Sequence, residues 1–214
     1  MEENKLFSKV FLWLAVGLLL SFGVGYYVST QANMINNLYK GGSLVILWIV
    51  QLVVVIVLSM RIHKMNPLTA KILFLLYSIL TGLTLSSIFI VYKLESIIIV
   101  FGETALLFGS FAAIGMFTKI DLTKFGTYLF MALVGIVLVS LVNVFLHNSM
   151  MDLIINCFAI IIFLGYTAYD IQRIKQISYG LEEDNAAIFG AFELYIDFIN
   201  LFLRLLEFFG KKND

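Results

Sequence analysis

Seven runs of roughly 20 apolar residues, parted by short connections that hold most of the charges, leave this 214-residue chain very few architectures. The runs are Val10–Ser29, Gly42–Met60, Ile72–Tyr92, Ile97–Thr118, Phe125–Leu146, Asp152–Asp170 and Ala186–Phe209. A hydrocarbon core about 30 Å thick is crossed by roughly 20 residues of helix, so each run reads as one crossing. Backbone in lipid must satisfy its own hydrogen bonds, which leaves helices or a closed barrel. A barrel needs strands of alternating polarity. These runs are apolar on consecutive positions, so the expectation is an all-α membrane protein with seven transmembrane helices in a single polytopic domain.

Composition agrees with that expectation. The chain is 61% hydrophobic and 13% charged with one proline, and its mean hydropathy is +1.00, where soluble domains carry about 25% charged residues. The formal net charge of zero offers nothing to nucleic acid, and the lipid bilayer is the partner the composition demands. Cys157 is the only cysteine and lies in an apolar run, which excludes an intrachain disulfide and a cysteine metal cluster and leaves a packing role. The first run is too long for a signal-peptide core and lacks an Ala-x-Ala site, so it reads as a retained span.

Lysine and arginine set the orientation. Lys5, Lys9, Arg61, Lys64, Lys71, Lys119, Lys124, Arg173 and Lys175 fall on one side, whereas Lys40, Lys93, Lys211 and Lys212 fall on the other. The amino terminus is therefore expected to be cytoplasmic and the carboxyl terminus outside. The charges of the seventh run leave open that it re-enters instead of crossing. No internal repeat is convincing, although the MNPLTAKILF and KIDLTKFGTY stretches share a short pattern and a three-plus-three arrangement stays open.

The seventh run carries Glu193, Asp197, Asn200, Arg204 and Glu207, which a helix of 3.6 residues per turn gathers into an arc of about 80°. An ionised side chain inside a bilayer costs roughly 2.5–3.5 kcal/mol on insertion scales, so this stripe needs a partner, water or a proton. Asp197 is the hardest to excuse, because it sits too deep to reach the interface. Glu193 stands one turn before it, and like charges at i,i+4 repel. Either one acid is protonated, or the two share a cation or a basic partner. Arg204 is the nearest counter-charge. An internal ion-pair ladder without a transport role is the structural alternative.

Asp170 ends the sixth run in GYTAYDIQRIK, with Tyr166 and Tyr169 on neighbouring turns and Arg173 at i,i+3. It reads either as an interfacial ion pair or as an acid supplied with phenol donors. A short connection makes the sixth and seventh helices antiparallel neighbours, which brings Asp170 toward the inner half of the seventh. Glu103 is expected at the outer interface, Gln51 and Asn143 as mid-span bonds across helices, and Gly109 with Ala113 as a close-packing pair. The TGLTLSSIF hydroxyls fit either helix contacts or a wetted lining. His63 and His147 lie in connections and form no metal-ligand constellation. No Gly-rich phosphate loop, HExxH or nucleophile with a base is present, so neither a nucleotide-driven pump nor an enzyme is expected. Two facing aspartates would suit an intramembrane aspartyl protease, but the flanks YTAYDI and LYIDFI do not look like that class.

Taken together, LTGLTLSSIFIVY, TKIDLTKFG, LVGIVLVSLVNVFL, GYTAYDIQRIK and LYIDFINLFLRLLEFFG resemble the bacterial branch of the Bax inhibitor 1 family, also called the transmembrane Bax inhibitor motif family. The likeness runs from about Leu44 to Gly210. It implies seven helices with the last at the centre of the other six, in a bacterial inner or plasma membrane. It also implies a calcium-permeable, proton-sensitive leak in which two aspartates share a proton when closed. By motif these are Asp170 and Asp197, which would also meet calcium transiently as the transported ion. No cofactor is implied. Gln51, ten residues before Arg61, replaces a glutamate frequent in the family. Glu207 stands where the family tends to have arginine, and here Arg204 comes one turn earlier. Glu193, Asn200, Arg204, Glu207, Gln51 and Arg61 are accordingly expected to tune the pore or gate.

The leading expectation is thus a pH-sensitive passive cation leak. A regulatory protein that engages a membrane-protein partner such as a protease or stress complex, through the Met1–Lys9 tail or lipid-facing surfaces, is the alternative. A proton-coupled cation antiporter is a third.

Overall fold

The computed structural model describes residues 3–213, and among them it is helical with no strand. Eight helices follow in order: α1 (Glu3–Ser29), α2 (Ala32–Tyr39), α3 (Ser43–Arg61), α4 (Pro67–Val91), α5 (Leu94–Phe117), α6 (Gly126–Leu146), α7 (Ser149–Ile177) and α8 (Glu183–Phe209). All but α2 are long and apolar enough to cross a membrane. The chain is an integral membrane protein.

Local chemistry explains where these helices begin and end. Pro67 fits the first turn of α4, where its missing N–H costs nothing, and Asn66 accepts a hydrogen bond from Leu68 N at 2.9 Å. The helix therefore starts five residues before the apolar run, and Lys71 lies inside it. Likewise α1 starts at Glu3, so Lys5 and Lys9 are helical; Met1 and Glu2, part of the Met1–Lys9 tail, lie outside the described residues. The Thr30–Gly41 connection holds the short α2, which apolar content could not signal because α2 buries nothing. Gly41 and Gly42, with φ of 64° and 82°, make the left-handed turn into α3 that a side chain would strain. At the other end of α6, His147 adopts φ 49° as the cap.

Burial runs opposite to hydropathy. The two most apolar spans, α3 and α6, are the least buried, whereas α8 is the least apolar and has 78% of its span buried against 6% for α6. A bilayer imposes that inversion, since faces turned to lipid must be apolar and only protein can shelter polar groups.

The chain divides into two compact units, with the first half of α8 in one and the second half in the other. The first unit contains α1–α4 and α8 as far as Tyr195. Here α1 packs along α4, and α3 along the other side of α4. Small residues make the α1–α4 approach possible: a Cβ on Gly17 would lie 2.5 Å from the Phe74 ring, and one on Gly82 would lie 2.7 Å from the Ser21 carbonyl. Ser21 Oγ donates to the Ser78 carbonyl at 2.7 Å and lies 2.5 Å from the Tyr195 hydroxyl. Tyr195, fully buried, meets the Phe74 and Tyr77 rings edge-on.

The second unit contains α5–α7 and α8 from Ile196. Gly115 of α5 touches the Ala168 backbone of α7, where a Cβ would press on the Ala168 carbonyl oxygen. Phe101 and Phe108 of α5 pack against Phe198 of α8, with ring centroids at 5.2 and 5.4 Å. Gln172 of α7 ties down the connection before α6, accepting from Leu122 N at 2.8 Å and donating to the Ile120 carbonyl at 2.9 Å. In that connection Asp121 accepts from the Thr123 hydroxyl at 2.5 Å, which holds its carboxyl below the usual carboxylate range.

The expected Gly109–Ala113 packing pair is not where α5 packs. Both residues are exposed, and a Cβ on Gly109 would meet nothing within 4 Å. The close approach lies on the other face, at Ala112 and Gly115.

Candidate functional site

Asp170 and Asp197 both lie in the second unit and are almost completely buried, at 3% and 4% exposure. The sixth span does not stop at Asp170 as its hydropathy suggested. α7 runs on to Ile177, which leaves Asp170 about 10 Å inside its end. α8 begins at Glu183, so Asp197 stands about 21 Å from its first residue. Neither carboxyl can reach water along its own helix.

Both acids act electrostatically on Tyr166. Its phenol is within electrostatic reach of Asp170, Asp197, Tyr169 and Arg173. The Tyr166 and Tyr169 rings meet edge-on with centroids 6.2 Å apart. Tyr169 in turn lies against Gly126 at the start of α6, where a Cβ would come within 2.7 Å of its ring. Arg173, one turn beyond Asp170, places Nη1 3.7 Å from Asp170 Oδ1. Asp170 is thus paired at i,i+3 and buried within electrostatic reach of a phenol.

The remaining stripe residues have contacts of their own. Arg204 does not face the acids. Its Nη1 donates to Asn156 Oδ1 of α7 at 3.1 Å and to Glu207 Oε2 at 3.1 Å, which satisfies it one to two turns beyond Asp197. Asn200 donates to the Ile196 carbonyl of its own helix at 2.9 Å. Glu193 is half-buried in the α8 segment that belongs to the first unit.

Gln51 and Arg61 also belong to the first unit. Gln51 donates to the Thr81 hydroxyl and accepts from Thr84 Oγ1, both at 3.3 Å, which makes it a bond between α3 and α4. Arg61 is exposed at the end of α3. The TGLTLSSIF hydroxyls Thr81 and Thr84 thus serve helix contact. Asn143 bonds across helices too, but from the last turn of α6 and not mid-span, donating to Asp152 Oδ1 at 2.5 Å. Glu103 is the tenth residue of α5, about 13 Å from its start, and is exposed. Cys157 is half-buried on α7.

Sequence reasoning missed four residues. Asn156 is a buried amide in an apolar run and could have been flagged on the same grounds as Gln51. Gly126 carried no signal, because only the neighbouring ring explains it. Glu183 and Asp184 were read as connection, although they open α8 and pair with lysines of α1 and α4.

As a cation site the group is sparse. Among the described residues no three His, Cys, Asp or Glu side chains stand together as a metal set. Two carboxyls and a phenol fall short of the six to eight oxygens a resident calcium ion takes.

Residues 3–214 match the family described as inhibitor of apoptosis-promoting Bax1. The chain is 44% identical to the inner membrane protein YbhL of Escherichia coli K12 over 212 residues, which covers 96% of this chain and 91% of the relative. It is 39% identical to a protein of Borreliella burgdorferi over 99% of this chain and 94% of that one. With a membrane protein of Streptococcus pyogenes serotype M1 it shares 35% identity over 99% of this chain and 94% of the relative.

Proposed function

The chain belongs to the Bax inhibitor family, and from that premise we propose that it is a passive cation leak, selective for hard cations such as calcium, whose gate is the Asp170–Asp197 pair. The observation that carries the reading is the burial of two carboxyls on different helices, both within electrostatic reach of the Tyr166 phenol. Two buried carboxyls that interact titrate as a pair. With one proton between them they hold α7 to α8. When both are ionised their repulsion drives the helices apart, and water and a hard cation with a preference for oxygen ligands can enter. The leak therefore rises with pH. Tyr166 steadies the closed pair and Arg173 offsets part of the Asp170 charge. No covalent chemistry is required of the protein. The inner membrane named for YbhL, together with the lysine and arginine bias, supports a bacterial inner-membrane location with a cytoplasmic amino terminus.

Calcium flux into liposomes holding the wild type, Asp170→Asn and Asp197→Asn, measured across pH 6 to 8, tests this reading. A wild-type flux that climbs with pH, and variants that no longer respond, supports it. Flux that responds to pH equally in all three proteins rejects the pair as the gate. A wild type with no flux at any pH favours the regulatory function instead.

A further inference from the structure

The first turn of α8 is gripped from two other helices of the first unit. Lys9 Nζ of α1 lies 2.7 Å from Glu183 Oε1 and 3.0 Å from Asp184 Oδ1. Lys71 Nζ of α4 lies 2.6 Å from the second Asp184 oxygen. Lys5 approaches Glu183 at 3.9 Å, and Lys71 stands 5.9 Å from the centre of the Trp13 ring. The next residue, Asn185, donates to the Ile62 and Met65 carbonyls at 3.3 and 2.8 Å, so the turn after α3 is tied to the same point. The acids sit where a helix dipole favours negative charge. Both oxygens of Asp184 are taken by lysines 113 and 175 residues away in sequence.

We propose that Lys9, Lys71, Glu183 and Asp184 form an ionic clasp that positions the start of α8 against α1 and α4, and that releasing it lets the gate open at lower pH. The gating half rests on the reading of Asp170 and Asp197 given above. α8 is one unbroken helix from Glu183 to Phe209, with Asp197 fourteen residues beyond its first turn and Tyr195 held against α1 and α4 between them. The clasp side chains are 28–36% exposed, and a single pair of that kind is weak and screened by salt. Its strength is convergence, with two helices held through one carboxylate. The charged groups that meet there are Lys5 and Lys9 from α1, Lys71 from α4, and Glu183 and Asp184 from α8.

The test uses the full chain in liposomes and two readouts: hydrogen exchange of residues 183–190, and the pH of half-maximal calcium flux. Lys71→Met and Asp184→Asn are expected to speed exchange at least about threefold and to move the half-maximal pH downward. The double variant should be no worse than the stronger single one, because both remove the same interaction. Lys71→Arg should keep both properties near wild type, which separates a charge effect from misfolding. Unchanged exchange in the single variants overturns the clasp. Faster exchange with an unmoved half-maximal pH reduces it to a structural contact and overturns its role in gating. If the wild type shows no flux, the leak reading and the gating role fall together, and exchange alone still decides whether the clasp holds α8.

Discussion

Arg173 Nη1 stands 3.7 Å from Asp170 Oδ1, and the pair joins a guanidinium 37% exposed to a carboxylate 5% exposed. One partner faces the surroundings and the other is enclosed, so the ion pair links the buried acid to the end of α7. Removing the cation penalises the ionised form of Asp170 most, because the acid is the member without solvent. Arg173→Gln is therefore expected to raise the pH of half-maximal leak by about one unit without abolishing the response, as measured by calcium flux in liposomes. A variant whose pH profile overlays the wild type would show that the pair is ornamental to gating.

The Tyr195 hydroxyl and Ser21 Oγ, 2.5 Å apart and both fully buried, join α8 to α1. Since Ser21 gives its proton to the Ser78 carbonyl, Tyr195 is the donor to Ser21. Tyr195→Phe leaves the serine short of one bond while the ring packing survives. A loss of about 1 kcal/mol is expected, and the Tyr195→Phe/Ser21→Ala double variant should lose little more than the worse single one. Thermal unfolding in detergent gives the comparison, and additive losses would rule out the bond.

Two glycines of one helix should respond in opposite ways. A methyl at Gly115 meets the Ala168 carbonyl and lies 2.9 Å from the Ala168 Cα, both of them backbone that cannot step aside. Gly115→Ala is expected to destabilise by about 1–3 kcal/mol. Gly109→Ala, with open space around it, should be neutral or stabilise by up to about 1 kcal/mol through helix propensity. Unfolding midpoints of the two variants, read side by side, decide the matter; equal effects would mean that α5 does not pack on α7 through this face.

Gln51 bonds to Thr81 and Thr84, and interhelical bonds of this kind are worth roughly 0.6–2 kcal/mol. Gln51→Leu is expected to lose about that much stability and to leave the pH dependence of the leak in place. A flattened pH profile would return Gln51 to the gate.

The seven spans were legible because a bilayer demands them. Apolar length alone recovers the core of each spanning helix, and apart from the short α2 the errors lie at the ends, where polar residues continue a helix past the hydrocarbon. Pro67 and Asn66 open α4 five residues early for that reason, and α7 continues through Arg173 and Lys175 to Ile177. Asp170 and Asp197 were legible as residues out of place in lipid, and motif likeness singled them out. Helical spacing puts Arg204 on the acid stripe, where it pairs with Glu207, and Asn156 on another helix takes up the same guanidinium.

What the sequence determined by itself is what lipid enforces along one helix at a time: the number of crossings, the polar stripe on α8 and the two acids that no lipid-facing position could hold. Which polar groups meet was decided only by the tertiary structure, because side-chain reach is a few ångströms and depends on the rotation and depth of each helix against its neighbours. Apolar spans carry almost no record of that rotation. The cross-helix partners of Asp184, Tyr195 and Arg204 lie 48 to 175 residues away in sequence, and the ring that explains Gly126 lies on another helix.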